Sequence, residues 1–165
     1  SAASDVYKRQ AYKLSQALLS HPPQQFIALA AIGTIADLVS LTDENRSIVK
    51  RGLKILNDQT PVSINAILKQ AGYNDQINEE TIGFIIGPRL NAVGRLEDAS
   101  LAAELLMVDE FEEAEFLAEQ VEHFNQERKD IVAEITEEAL SLAEEQVQQG
   151  NLFLLLAKEL SLIHI

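Results

Sequence analysis

The sequence predicts a mainly α-helical protein, and three observations carry that prediction. Apolar residues recur at helical spacing along most of the chain. Glu110 to Gln149 contains no Gly or Pro. Only one short run, residues 152–156, has the make-up of a strand. The 165 residues fit one domain with a proper core, and 47% apolar against 24% charged residues excludes global disorder, a collagen-like fibre or a mucin-like stalk. With no cysteine, the chain has no disulfide framework, thiolate nucleophile or Cys-type zinc site, and a reducing cytoplasm is the default compartment.

The elements follow in order. Leu14, Ala17 and Leu18 place a first helix over residues 11–19, which Pro22-Pro23 must end. From Gln25 to about Val39 the chain is nearly all small and apolar, too long for one strand and rich in Ala, so it predicts a helix buried on most sides. Thr42-Asp43 offers an N-cap to a third helix with Ile48, Val49, Leu53 and Leu56 on its apolar side and Lys50, Arg51 and Lys54 on its polar side. A short fourth helix runs from Ser63 to about Gln70 and stops at Gly72. Asn78 or Glu79 opens a fifth, which Gly87-Pro88 interrupts, so residues 87–95 predict a shaped turn or broken helix. Asp98 caps a helix from Ala99 to Met107. A helix over residues 110–149 then carries Leu117, Val121, Phe124, Ile131, Ile135 and Leu142 as a stripe, and Gly150 stops it. A strand at 152–156 has no partner in the chain and implies a further domain.

Charge is segregated. Residues 1–96 carry 10 Lys or Arg against 8 Asp or Glu, and residues 97–165 carry 3 against 18. The acidic second half argues against wrapping nucleic acid over the whole surface, but leaves room for a local phosphate site in the first half. No membrane span is predicted. The longest stretch free of charged residues, Leu14 to Ala36, is broken by residues 20–25, and Asp5, Lys8 and Arg9 interrupt the place of a signal-peptide core.

Few residues stand out chemically. Asp37, at the end of the apolar run, is open to three readings: a cap, a solvated boundary residue, or an oxygen ligand for a hard cation such as Mn²⁺ or Mg²⁺. Arg89, Asn91 and Arg95 gather two guanidiniums and an amide on a Gly-bounded segment. They read either as a phosphate grip or as an Arg-carboxylate tie to Glu97 and Asp98. His21, His123 and His164 suit surface or packed positions, and no nucleophilic triad or phosphate-loop motif occurs. The acidic run Glu110, Glu112, Glu113, Glu115, Glu119 and Glu122 reads as a solvated face, and its apolar stripe as packing or a coiled-coil seam.

Four segments together resemble a known family: Gly33-Thr34-Ile35-Ala36-Asp37, Glu44-Asn45-Arg46, Gly87-Pro88-Arg89-Leu90-Asn91-Ala92-Val93-Gly94-Arg95-Leu96, and Asn125-Gln126-Glu127-Arg128. In order and spacing, over residues 11 to about 159, the chain is similar to the RecJ-type single-stranded-DNA exonucleases of the DHH phosphoesterase superfamily. Val93 stands where that family usually has a second Ala. The resemblance implies the helical second half of a DHH catalytic domain over residues 11–108, a connector helix over 109–150, and the start of a second, DHHA1-type domain at 151–159. Residues 1–10 and 160–165 read as adaptor or cloning scars. It further implies that Asp37 is a ligand and catalytic residue of a two-metal Mn²⁺ or Mg²⁺ cluster, with Arg89, Asn91 and Arg95 at neighbouring phosphates. The parent would be a cytoplasmic, monomeric enzyme releasing 5′ mononucleotides from single-stranded DNA in the 5′ to 3′ direction, in repair and recombination. This segment, lacking the Asp-x-Asp and Asp-His-His motifs, would be inactive alone. Two alternatives remain: another DHH-superfamily phosphodiesterase acting on oligonucleotides or cyclic dinucleotides, and a noncatalytic helical interaction module.

Overall fold

The structure, a computed structural model, describes residues 2–96 and 98–148, with side chains from Gln10 onward. The expected strand at 152–156, the segments 151–159 and 160–165, His164 and Glu97 lie outside the described residues. Helices form at Ala2–Leu18 (α1), Gln25–Ala36 (α2), Asp43–Asp58 (α3), Val62–Gln70 (α4), Gly87–Leu96 (α5), Ser100–Met107 (α6) and Phe111–Gln148 (α7), with a π-helical turn at Thr81–Ile86 leading into α5. Among the described residues there is no strand, and the chain has the mainly helical fold its sequence predicts.

One apolar core joins these elements. Leu56 of α3, Ile64 and Ile67 of α4, Ile82 and Ile86 of the π turn, Val93 of α5, Leu105 of α6 and Val121 of α7 are all fully buried. Helix α2 reaches this core because its apolar residues surround it, leaving no polar face to turn towards water. It lies closely against α3, where Gly52 has no side chain: a Cβ there would stand 2.9 Å from the Ile27 carbonyl and overlap the Ala31 methyl. Asn57 pins the loop after α4 to α3, donating from Nδ2 to the Ile77 carbonyl and accepting from the Ile77 N–H. Asn78 and Thr81 exchange side-chain and backbone hydrogen bonds, so the helix opens at Asn78 as the sequence predicts.

The structure corrects two boundaries. Gly87-Pro88 does not break the helix. The turn before it is π-wound, and the Gly87 N–H bonds to the Ile82 carbonyl five residues back. Widening the turn accommodates a proline that lacks an N–H and would clash in a regular helix. Helix α2 ends three residues before the expected Val39. The N–H of Leu38 bonds to the Ile35 carbonyl and that of Val39 to the Thr34 carbonyl, a paired closure that puts Leu38 in the left-handed region at φ 55°.

Glycine is the usual residue at such a position, and Leu38 gains no packing there, being 89% exposed. Leu38→Gly is therefore expected to stabilise the fold by about 0.5–1 kcal/mol, the left-handed strain relieved being larger than the extra freedom of the unfolded glycine. Chemical denaturation measures this, and a lower midpoint for the variant contradicts it.

Helix α7 is about 57 Å long at 1.5 Å per residue. Its buried residues (Ala114, Leu117, Ala118, Val121 and Asn125) all lie in its first half, where it packs on α4, α5 and α6. Beyond Arg128 its stripe is only half-buried at Ile131 and Ile135, and Leu142 is exposed.

Candidate metal-ligand and phosphate-binding residues

Asp37 caps the C-terminus of α2 and is half-buried there. A helix C-terminus carries partial negative charge, which repels a carboxylate and favours a cation. A plain structural cap would place Lys, Arg, Asn or Gly at this end. Helix α2 delivers Asp37 towards the start of α5, because a Cβ on Gly87 would lie 3.2 Å from that of Ala36. The glycine lets the two helix ends meet.

Among the described residues, no three His, Asp or Glu side chains come together in a way that could hold a metal ion. These residues do not build a metal centre by themselves. Asp37 fits such a centre as one oxygen donor only.

Because residues 87–96 are helical, they point in directions that a turn would not give. Asn91 and Arg95 are four apart and share one face, about 40° from each other, whereas Arg89 stands about 160° from Asn91. Arg89 accordingly turns inward and is only 9% exposed. Its Nε donates to Glu122 of α7 and its Nη1 to the Ile85 carbonyl at 2.9 Å. This Arg-carboxylate tie runs to Glu122, 33 residues away, rather than to Asp98, which instead accepts the Ser100 N–H and caps α6. Hydrogen bonding from the Ser100 hydroxyl, and after it from the Ser100 N–H, holds the Asp98 carboxyl below its usual pKa. Its capping contribution is therefore present above the ordinary carboxylate pKa and fades as the pH falls through the lowered one.

Asn91 and Arg95 reach a cleft of about 290 Å³ between α5 and α7, lined also by Pro88, Arg128 and Val132. In the sequence Arg128 stands out only as part of a family motif, and Glu122 only as part of a solvated acidic face. Of that face, Glu122 and Glu115 are instead half-buried and paired, Glu122 with Arg89 and Glu115 with Lys69. The one available hint was compositional: Arg128 and Lys129 are adjacent cations in a half that holds three.

No protein-family model matches the chain. Individual relatives do. The single-stranded-DNA-specific exonuclease RecJ of Bacillus subtilis is 46% identical over 137 residues, covering 82% of this chain and 17% of the relative. That of Escherichia coli is 38% identical over 122 residues, covering 73% and 21%. The crystal structure of Thermus thermophilus RecJ in complex with Mn²⁺ superposes with a TM-score of 0.67 at 32% identity, over 74% of this chain and 19% of that one. The fold is thus a helical segment shared with metal-bound exonucleases. The chain belongs to the RecJ family, and it spans about a fifth of the length of the curated relatives it matches. Among the described residues, no helix is long and apolar enough to cross a membrane.

Proposed function

We propose that this chain is the helical part of the catalytic domain, residues 11–108, with the connector helix, residues 109–150, of a cytoplasmic, monomeric, metal-dependent exonuclease. The parent enzyme releases 5′ mononucleotides from single-stranded DNA in the 5′ to 3′ direction, in repair and recombination. The observation that carries this reading is the pairing of family membership with a carboxylate set at a helix C-terminus, a place that favours a cation. In this reading Asp37 supplies one ligand to a Mn²⁺ or Mg²⁺ pair. When bound, that pair supplies an activated water and stabilises charge developing on phosphorus.

The remaining roles belong to this chain's own residues. Asn91 and Arg95 hold a phosphate of the strand in the cleft beside α7. Arg89 acts at the same phosphates through position, because its tie to Glu122 fixes α5, and with it Asn91 and Arg95, on α7. Alone, the segment has one ligand for a two-metal site and is inactive.

The test uses the intact enzyme and single-stranded DNA labelled at either end. Mononucleotides are expected from the 5′ end, only with Mn²⁺ or Mg²⁺ present. Release from the 3′ end, or turnover in chelator, overturns the proposal.

A further inference from the structure

The cleft between α5 and α7 has a second cation, Arg128, beside Arg95. Arg128 stands at the far end of a hydrogen-bonded chain. Asn125, 1% exposed, donates from Nδ2 to Glu122 and accepts at Oδ1 from Nη2 of Arg128 at 3.1 Å. Both ends of that buried amide are committed, so the guanidinium plane is set before any ligand arrives. Its Nε–H is buried and has no hydrogen-bond partner among the described residues. A buried donor left in that condition is costly, and a charged one more so. The guanidinium so fixed belongs to a residue that lines the cleft together with Asn91 and Arg95.

We propose that Arg128 is a phosphodiester-contacting residue, and that with Asn91 and Arg95 it completes a phosphate site spanning α5 and α7. The proposal rests on the nuclease reading and deepens it: the long helix is a wall of the strand-binding site as well as a connector. A phosphodiester suits the cleft because its two non-bridging oxygens can be shared between a guanidinium on each wall, with the asparagine amide donating to one of them. The neighbouring carboxylate, Glu122, faces Arg89, Asn125 and Lys129, which keeps its charge occupied away from an incoming phosphate.

The test measures binding of an unphosphorylated oligothymidylate to the intact enzyme in chelator, across a salt series, for wild type, Arg128→Gln, Arg128→Lys and Arg95→Gln. Arg128→Gln is expected to weaken binding about tenfold and to reduce the salt slope by about 0.7, one phosphate contact. Inorganic phosphate should compete more weakly against the variant than against wild type. Arg128→Lys should keep the salt slope yet lose affinity, because the charge remains and the fork does not. If Arg95→Gln weakens binding and Arg128→Gln does not, the role of Arg128 is refuted while the nuclease reading stands. An enzyme that binds no single-stranded DNA refutes both. Should Arg128→Gln lose its helical circular dichroism, Arg128→Lys decides: unchanged affinity overturns the proposal, and a loss at constant slope supports it.

Discussion

Asp37→Ala is expected to lower metal-dependent turnover of single-stranded DNA by roughly a thousandfold or more in the intact enzyme, since losing one ligand of a metal pair removes several kcal/mol of transition-state stabilisation. The same change should cost little folding stability, less than about 1 kcal/mol, because the carboxylate removed stands at the negative end of α2. The contrast between turnover and stability separates the readings that the sequence leaves open. A structural cap would lose stability and keep its turnover. A solvated boundary residue would lose neither. A ligand loses turnover alone. Calorimetry of Mn²⁺ binding beside the rate assay completes the test, and a variant within a few-fold of wild type in both sinks the assignment. Asp37→Asn should fall with the alanine variant, because a neutral amide oxygen is a poor substitute for a carboxylate on a hard cation.

Much of the fold is legible from local pattern, and the failures have physical causes. The fourth helix was predicted from Ser63 to about Gln70 and runs Val62–Gln70, because a stripe of Ile64, Ile67 and Leu68 faces the core and Gly72 follows. The end of α2 was misplaced because a leucine holds the left-handed closing position. Sequence rules reserve that position for glycine. The break expected at Gly87-Pro88 assumed regular α winding, and a π turn removes the clash on which the rule rests. This second error propagated into the site. Placing Arg89, Asn91 and Arg95 on a turn put them together, whereas a helix sends Arg89 to Glu122 and leaves the other two facing Arg128. No periodicity within either segment reveals a partner 33 residues away. Asp37 stands out in the sequence for a different reason: a lone charge closing an apolar run is unusual wherever the run folds.

Gly52→Ala is the substitution expected to cost the most stability, about 3 kcal/mol, although alanine is intrinsically the better helix former. The added methyl would overlap that of Ala31 and stand 2.9 Å from the Ile27 carbonyl. One of those neighbours is backbone and cannot rotate away, so α2 and α3 must separate. Separation opens the layer between them, where Ile27, Ala28, Ala31, Ile48 and Leu56 are buried. Denaturant titration should show a lower midpoint for Gly52→Ala. A midpoint equal to or above wild type would mean that the helices do not cross at this residue. Ala31→Gly in the same chain should recover part of the loss, because it removes the methyl overlap and leaves the carbonyl contact. The two changes should therefore be strongly non-additive. The consequence reaches the candidate site, because α2 carries Asp37 at its far end and meets Gly87 there. A displaced α2 moves the carboxylate relative to α5, and in the intact enzyme Gly52→Ala should weaken Mn²⁺ binding at temperatures where the protein remains folded. Weakened metal binding without any loss of fold would show that the crossing at Gly52 sets the position of the ligand as well as the stability of the core.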